Sequence, residues 1–429
     1  MSKPTDSAVF EMRLLPTHSQ AKKLLVLSEL GRILYNACLG EALRRMDKVK
    51  NDPSYNKKNF KALAKHYSFN DYSLQAFAIK CKNESKFLDQ LGTHSVQKIA
   101  TRAYRAVHKK SLGQAKRVNF VRQGTTVSLE GKTNNTFLMY KEDLNLAIIA
   151  KMKIKVKERK NDNYKAYVMQ HRIKFCRVIV RYFNGKPKFF LQVVYEGQPP
   201  QKVVLGSEKT GIDIGPSTIA IVNTQTSELK TFCSDIPKMN KKKIKLQRNA
   251  ARKLRLANPQ NYIKNGSVIK GSKTWKKSAN YKKLEIRIAD MERRLALRRK
   301  QSHGVLINEI LRQSNEVHAE KLEYKKFQKD FGRSIGACAP SMFNERLKNK
   351  IIQLGGNFIE INTYTTKLSQ TCLCGNVKKK DLSQRRQICS CGINHQRDIF
   401  SAFLAIFVKD GQTLDLASAN QEYKNYTLA

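Results

Sequence analysis

The stretch GIDIGPSTIAIV, residues 211–222, is apolar apart from a single carboxylate, Asp213. An apolar run of this kind predicts a buried β-strand. Burying an unpaired carboxylate is costly or forces the group to take up a proton. Asp213 therefore either faces solvent at the end of the strand or lies beside a positive group.

The composition indicates a polyanionic partner. The chain has 429 residues, enough for two or three domains, and carries 82 Lys and Arg against 34 Asp and Glu, a net charge of +48. A charge of this size destabilises a compact chain unless a polyanion neutralises it, and nucleic acid is the obvious candidate. A membrane surface is the rival. We expect no membrane partner, because the sequence has no apolar run of about 18 residues and no signal peptide.

The N-terminal half is predicted to combine a helical segment with a strand-rich one. Residues 8–15 alternate as a short strand, and helical patterning follows over about 20–45 and 60–110. From there to about residue 200 the hydrophobic period is two, which indicates strands. The linker-like sequence EGQPPQK then predicts a domain boundary near residue 205.

Basic side chains recur at helical spacing in VQKIATRAYRAVHKK, near the end of the helical segment. They are Arg102, Arg105, Lys109 and Lys110, with Tyr104 beside them. The pattern fits a solvated basic face and a helix that grips a phosphate backbone equally well. The second reading makes Arg102, Arg105 and Lys109 candidate nucleic-acid contacts.

The segment KMKIKVK, residues 151–157, predicts a strand with one basic face, because alternate residues point to opposite faces of a sheet. The lysines are Lys151, Lys153, Lys155 and Lys157. An edge strand guarded by lysines would have the same pattern. With the strongly basic composition, we favour a strand that faces RNA or DNA, with Lys151, Lys153 and Lys155 as candidate contacts.

The C-terminal half predicts an α/β sheet of the ribonuclease H type. Further strands are expected at 228–234, 316–322 and 357–365, and residues 282–312 have the spacing of one long amphipathic helix. Residues 241–300 carry 21 Lys and Arg against three acids and are a candidate wall of a nucleic-acid channel.

Three carboxylates stand at predicted strand or helix starts and ends: Asp213, Glu320 and Asp398. An acid at a helix start can simply cap the helix, and this is the default reading of Asp398 taken alone. Together the three fit phosphodiester cleavage by two Mg²⁺ ions, which needs carboxylates converging from different elements. On this reading, the positive group beside Asp213 is Mg²⁺.

Four of the nine cysteines form a cluster, SQTCLCGNVKKKDLSQRRQICSCG: Cys372, Cys374, Cys389 and Cys391. Four thiolates can hold Zn²⁺ tetrahedrally, and Gly375 and Gly392 allow the chain to turn beside each pair. The basic loop between the pairs has no core of its own, so a structural zinc is expected to hold it. The Cys-x-Cys spacing is tighter than the usual Cys-x₂-Cys, and a redox pair is the alternative.

Several motifs together resemble the RuvC-type nuclease of the TnpB family. They are GIDIGPSTIAIV, VHAEKLEYKKFQKDFGRS with CAPSMF, and KLSQTCLCG with CSCG and QRDIFSAFLA. TnpB proteins are transposon-encoded, RNA-guided DNA endonucleases and are similar to the ancestors of compact type V CRISPR effectors. The resemblance is strong over roughly 206–410 and looser over the N-terminal half.

The resemblance implies roles for individual residues. Asp213, Glu320 and Asp398 match the three acids that bind Mg²⁺ in the family, and the four clustered cysteines match its zinc-binding module. Two features depart from the family pattern. The cysteine pairs are Cys-x-Cys, and Ile-Phe-Ser-Ala follows Asp398 where many members have Asn and two Ala. All three acids are present, so activity is expected.

The resemblance also implies a domain order. A β-rich wedge domain would hold a helical recognition insert, and a RuvC-like nuclease domain would hold a zinc ribbon. The expected segments are 1–18 (first wedge strand), 19–115 (recognition), 116–205 (wedge), 206–366 (RuvC-like), 367–394 (zinc ribbon), 395–412 (RuvC-like) and 413–429 (tail).

The sequence therefore predicts an RNA-guided, Mg²⁺-dependent DNA endonuclease that cuts beside a short flanking motif. Its partners would be a guide RNA and target DNA, with one chain per guide RNA, in the prokaryotic cytoplasm near the nucleoid. Two alternatives stay open. One is a guide-independent RuvC-like nuclease or transposase-associated protein, and the other is an RNA-guided DNA binder that does not cut.

Overall fold

The computed structural model describes residues 6–135, 137–157, 163–201, 203–381 and 383–426. The chain divides into two compact units, Met1–Pro200 (unit 1) and Gln201–Ala429 (unit 2). The division lies close to the boundary that the linker-like sequence predicts near residue 205.

Unit 1 contains a helical core and an antiparallel sheet. Its elements are β1 (Ser7–Leu15), α1 (His18–Lys50), α2 (Phe60–His66), α3 (Asp71–Glu84), α4 (Thr93–Ser111), β2 (Leu129–Glu130), β3 (Leu138–Lys141), β4 (Leu146–Ile149), β5 (Met152–Val156), α5 (Asn163–Met169), β6 (Ile173–Phe183) and β7 (Lys186–Glu196). Helix α1 starts at a capping box, in which Thr17 and Gln20 each accept a backbone hydrogen bond from the other. Leu34, Leu74 and Ile99 lie in the core where α1, α3 and α4 pack together.

The strands of unit 1, as far as they are described, form one sheet in the order β2-β6-β7-β1-β5-β4-β3. The hairpin of β6 and β7 turns at Asn184 and Gly185, both with positive φ, as a two-residue turn of the primed type requires. Period-two patterning therefore predicts the hairpin of β6 and β7 correctly, but it misses the helix α5 within the same segment.

The edge-strand reading of residues 151–157 is wrong. Strand β5 pairs with β1 on one side and with β4 on the other, so it lies inside the sheet. Lys153 and Lys155 are exposed on one face, while Ile154 and Val156 are buried on the other. Lys151 is not part of the strand, because its φ of 66° places it in the turn before β5.

Unit 2 has a mixed α/β fold, as the sequence predicts. Its elements are β8 (Glu208–Ile214), β9 (Thr218–Val222), β10 (Ser227–Thr231), α6 (Ile236–Leu256), α7 (Ala279–Gln313), β11 (Ser314–Glu320), α8 (Tyr324–Cys338), α9 (Pro340–Gln353), β12 (Asn357–Ile361), α10 (Thr363–Thr366), β13 (Arg386–Ile388), β14 (Asn394–Gln396), α11 (Arg397–Ile406), β15 (Val408–Lys409), β16 (Thr413–Leu414) and α12 (Leu416–Glu422).

The main sheet of unit 2 has the order β10-β9-β8-β11-β12. Strands β8, β9 and β10 are antiparallel, and β11 lies parallel to both β8 and β12. The apolar stretch 211–222 thus forms two neighbouring strands, with Ile212 and Val222 fully buried. Helix α11 packs against β8 and β9. Parallel strands end at a common edge, so β8, β11 and β12 deliver their last residues to the same side of the sheet.

Two strand predictions in unit 2 extend too far. The run 357–365 is not one strand, because the Asn362 side chain accepts a hydrogen bond from the Tyr364 backbone and starts α10. The strand at 228–234 ends at Thr231, and Cys233 has a left-handed φ of 54°. The long helix expected at 282–312 is confirmed as α7.

The C-terminal segment belongs to the fold of unit 2. Ala419 of α12 is fully buried in a cluster with Phe403 of α11 and Leu373. Leu373 belongs to residues 369–392, which contain the four clustered cysteines and are called the cysteine segment below. Among the helices of the described ranges, none is long and apolar enough to cross a membrane.

Candidate active site and metal centre

The three predicted acids lie at one edge of the unit 2 sheet. Asp213 is near the carboxyl end of β8, opposite Ala220 of β9, and Glu320 is the last residue of the parallel strand β11. Asp398 is in the first turn of α11. All three line one cleft of about 710 Å³.

The helix-cap reading of Asp398 is wrong. The N-cap of α11 is Gln396, whose Oε1 accepts a 2.6 Å hydrogen bond from the backbone N–H of Ile399. The capping position is therefore occupied by another side chain. The Asp398 carboxylate instead contacts Arg397, with Oδ1 3.3 Å from Nε.

Burial and the neighbouring acids disfavour the ionisation of Asp213. Burial raises the pKa of Asp213 well above its usual range, and the neighbouring Glu320 and Asp398 raise it further. Arg397 and a hydrogen bond with Ser401 oppose this rise. Burial also raises the pKa of Glu320, to about 7. A divalent metal ion bound at these acids would reverse the pKa shifts of Asp213 and Glu320.

The lining of the cleft also carries basic side chains, here called the basic wall. It includes Lys379, Lys380 and Arg385 from the segment between the cysteine pairs, together with Arg397. Lys380 donates to the Gln387 side chain and, at 3.4 Å, to the Ser369 carbonyl. Arg397 donates to the Asp381 carbonyl at 3.3 Å. A polyanion that enters this cleft meets both carboxylates and cations, and Arg397 lies directly beside Asp398.

The clustered cysteines form a compact sulfur cage. The Sγ atoms of Cys372 and Cys391 are 3.4 Å apart, those of Cys374 and Cys389 are 3.6 Å apart, and all four lie within 4.8 Å of one another. Tetrahedral Zn²⁺ with Zn–S bonds of about 2.3 Å places its sulfurs about 3.8 Å apart. The donor set therefore fits a structural zinc ion.

The backbone beside each cysteine pair turns as the sequence predicts. The N–H of Gly375 donates to the Cys372 carbonyl, and that of Gly392 donates to the Cys389 carbonyl, at 3.0 and 3.1 Å. Both glycines have positive φ, 82° and 96°. Strands β13 and β14 lead into and out of the second pair. In the parts of the chain that the structure describes, no other set of three or more His, Cys, Asp or Glu residues converges this closely.

The candidate nucleic-acid contacts in unit 1 have different settings. Arg105 and Lys109 are exposed on α4. Arg102 is turned inward, where its NH1 donates to Ser128 Oγ and its NH2 donates to the Ser128 carbonyl. Arg102 thus ties α4 to the chain before β2.

The basic cleft wall is the part of the site that sequence reasoning missed. Lys380 and Arg385 belong to a segment rich in lysine and arginine. Their charge alone does not indicate that they line the cleft of the acids. Ser401, beside Asp213, is one of the residues that depart from the family pattern. The signal that could have identified Arg397 is its position directly before Asp398.

Residues 341–404 match a family model described as Cas12f1-like, TNB domain. This segment contains the four clustered cysteines and Asp398, and it covers a minor part of the chain. No curated protein sequence is similar enough to this chain to count as a relative.

The fold is similar to that of a chain in the cryo-EM structure of the Cas12f1-sgRNA-target DNA complex. The TM-score is 0.50 at 12% sequence identity, covering 94% of this chain and 98% of that chain. A chain in the cryo-EM structure of a CRISPR-Cas12f ternary complex also matches, with a TM-score of 0.35 at 14% identity, covering 93% and 83%. The first likeness shows the fold alone, and the second is too low to carry an argument. The family-model match thus shows similarity to Cas12f1-like proteins over residues 341–404, and the first structural match adds a similar overall fold.

Proposed function

We propose that this chain is an RNA-guided DNA endonuclease of the TnpB and compact type V kind. It cuts target DNA beside a short flanking motif, in a RuvC-type site. The observation that carries the proposal is the meeting of Asp213, Glu320 and Asp398 in one cleft at the carboxyl ends of β8 and β11. Phosphodiester cleavage by two metal ions requires this kind of convergence from separate elements.

Asp213, Glu320 and Asp398 would hold the Mg²⁺ ions. When bound, a Mg²⁺ pair supplies an activated water and stabilises the leaving 3′ oxygen. The protein's own contribution is the fixed placement of the acids. Arg397 orients Asp398 through their 3.3 Å contact, and the buried hydroxyl of Ser401 bonds to Asp213.

The basic wall positions the substrate. Lys380, Arg385 and Arg397 face the phosphates of a strand that lies over the acids. Two of them lie in or beside the cysteine segment, which has little apolar core of its own. A structural zinc ion at the four cysteines would therefore fix this wall and keep its charges at the cleft.

The excess charge suits a long nucleic acid and not a small ligand. It is spread over α4 (Arg105 and Lys109), the exposed face of β5 (Lys153 and Lys155) and the basic pair α6 and α7. The protein in the similar solved structure is complexed with sgRNA and target DNA. On the resemblance to the TnpB family, residues 19–115 would be the recognition domain and residues 1–18 and 116–205 the wedge domain. We propose one chain per guide RNA. Base pairing then reads the sequence, and the protein supplies charge and shape.

The deciding experiment exchanges the guide. The protein is expected to purify with a structured RNA of defined sequence. We would replace only the variable end of that RNA and supply DNA that matches the new end. Cutting should move to the new target and should require Mg²⁺.

Two other outcomes would favour the alternatives. Cutting that ignores the exchanged guide, or that proceeds equally in RNA-free protein, identifies a guide-independent nuclease. Guide-dependent binding without cleavage in Mg²⁺ identifies a non-cutting binder.

A further inference from the structure

A second cleft lies beside the acids and has a different character. Its volume is about 490 Å³. It is formed by the residues that follow β11 and β12 and by the turn between β15 and β16. They include Lys321, Glu323, Asn362, Thr363, Tyr364 and Gln412. Leu322 lines both this cleft and the cleft of the acids, so the two are adjacent.

The order of the sheet places the second cleft within reach of a strand bound at the acids. Strand β11 lies between β8, which carries Asp213, and β12, which leads into Tyr364. Neighbouring strands are about 4.8 Å apart, so the ends of β8 and β12 are separated by roughly 10 Å. That is the length of about three nucleotides at a rise of 3.4 Å each. A DNA strand with a phosphate at the acids can thus reach Tyr364 with a nearby nucleotide.

Tyr364 is an exposed aromatic ring on a firmly held turn. Its side chain is 69% exposed. Its backbone N–H donates to Asn362 Oδ1 at 3.0 Å, and the Asn362 N–H donates to the Gly411 carbonyl at 2.8 Å. Asn362 Nδ2 also donates to Gln412 Oε1 at 3.1 Å. The backbone under the ring is therefore well fixed, while the ring itself faces solvent.

The charges of the second cleft suit a base and not a phosphate. Its lining has two carboxylates, Glu323 and Glu360, against one cation, Lys321, and Glu360 is also paired with Lys348 at 2.8 Å. This contrasts with the basic wall of the neighbouring cleft. What the second cleft offers is an aromatic face and two amide side chains, which are the groups that stack on bases and read their edges.

We propose that the second cleft is a nucleobase subsite, in which a base of the DNA strand being cut stacks on Tyr364. Gln412, held in place by its 3.1 Å hydrogen bond from Asn362, contacts the edge of that base. The base belongs to a nucleotide within about three positions of the scissile phosphate. The subsite gives the cleavage step a base preference of its own, separate from guide pairing. This inference rests on the proposed function.

The test uses the full chain with its co-purified RNA and matched DNA in Mg²⁺. Single abasic sites are placed one at a time on either side of the cut. In the wild type, an abasic site at one position within about three nucleotides of the cut should lower kcat/KM roughly 5- to 100-fold, because stacking on that base is lost.

The Tyr364→Ala variant should cut intact DNA more slowly by a similar factor, and an abasic site at that position should not slow it further. Tyr364→Phe should behave as the wild type. Ile352→Ala, at an apolar side chain of α9 in unit 2 that is 55% exposed, is the control and should have no effect.

A second readout does not depend on cutting. A short oligo(dT) carrying one 2-aminopurine is titrated with the full chain in Ca²⁺, and stacking should quench its fluorescence with the wild type and Tyr364→Phe but not with Tyr364→Ala. Equal quenching by Tyr364→Ala, or Tyr364→Ala cutting with wild-type rate and abasic response, overturns the subsite. A wild type that quenches but does not cut supports the subsite and refutes the nuclease proposal instead.

Discussion

A side chain at Gly211 would overlap the carbonyl oxygen of Ala402. Gly211 is in β8, two residues before Asp213, and Ala402 is in α11, four residues after Asp398. The missing Cβ thus allows the helix that carries one acid to lie directly on the strand that carries another. This close approach explains why the first residue of the GIDIG motif, Gly211, is a glycine.

Gly211→Ala should therefore displace α11 from β8. We expect a destabilisation of about 3 kcal/mol or more, because the obstacle is backbone and cannot move aside like a flexible side chain. Cleavage should fall with it, since Asp398 moves with the helix. Thermal unfolding and a cleavage assay measure the two effects. Gly336→Ala on the exposed side of α8, where a Cβ meets nothing within 4 Å, should be neutral or slightly stabilising.

Asp213→Ala, Glu320→Ala and Asp398→Ala should each lower DNA cleavage by several orders of magnitude. Each removes a carboxylate from the site where the metal ions would be held. Binding of guide RNA and target DNA should survive, since the basic surfaces and base pairing supply it. Cleavage rates and binding affinities are to be compared with those of Glu345→Ala, at an exposed acid of α9. A mutant with near wild-type cutting would show that its residue is outside the catalytic set.

The acid cleft should make metal-free protein less stable as the pH rises. Folding raises the pKa of Glu320 from 4.5 to about 7. The folded state then binds its proton more tightly than the unfolded state, so stability is full below the unfolded value and is lost as the pH rises through about 7. Asp213 shifts in the same direction and adds to the loss.

The measurement is thermal unfolding of the full chain in EDTA. The transition of unit 2 should lie lower at about pH 8 than at about pH 6. Of the roughly 3 kcal/mol that the ionisation of Glu320 costs in total, about 1.4 kcal/mol is lost in this interval. Glu320→Gln should remove much of the difference, and Mg²⁺ should raise the transition at high pH in the wild type only. Glu345→Gln serves as the control. A transition that rises from pH 6 to 8 would contradict the electrostatics described for the cleft.

The local patterns of the sequence predict most helices and strands. Where these predictions fail, contacts that the pattern does not contain decide the structure. Apolar periodicity identifies the helix α7 and the burial of the stretch 211–222. It misses the turn at residues 215–217 that divides this stretch into the antiparallel strands β8 and β9. It also misses the end of β12, which is decided by a single hydrogen bond of the Asn362 side chain. The charge of Lys380 does not predict that this side chain lines the cleft of the acids. Its position depends on how the cysteine segment folds onto the sheet.

Cys372→Ser and Cys389→Ser should unfold the cysteine segment while the main sheet survives. We expect about one zinc ion per chain by elemental analysis, since a site of this type contributes about 10 kcal/mol or more to the folding of a small module. Cleavage should also fall, because the wall with Lys380 and Arg385 loses its support. Far-UV circular dichroism and metal content measure the outcome, and Cys81→Ser, at a half-buried cysteine of unit 1, should alter neither. Pure protein without zinc would leave the redox pair as the better reading.

Arg105 and Arg102 should behave differently although both are arginines of α4. Arg105 and Lys109 are exposed, so Arg105→Ala and Lys109→Ala should weaken guide RNA binding with little effect on stability. Each should reduce the slope of log affinity against log salt by about one, because each neutralised phosphate releases condensed counterion.

Arg102→Ala should instead lower the unfolding temperature of unit 1, because the hydrogen bonds to Ser128 are lost. RNA binding measured over a range of salt separates the two cases. If the slope is unchanged in Arg105→Ala and Lys109→Ala, this side of α4 is a solvated basic face, and the guide RNA is held elsewhere.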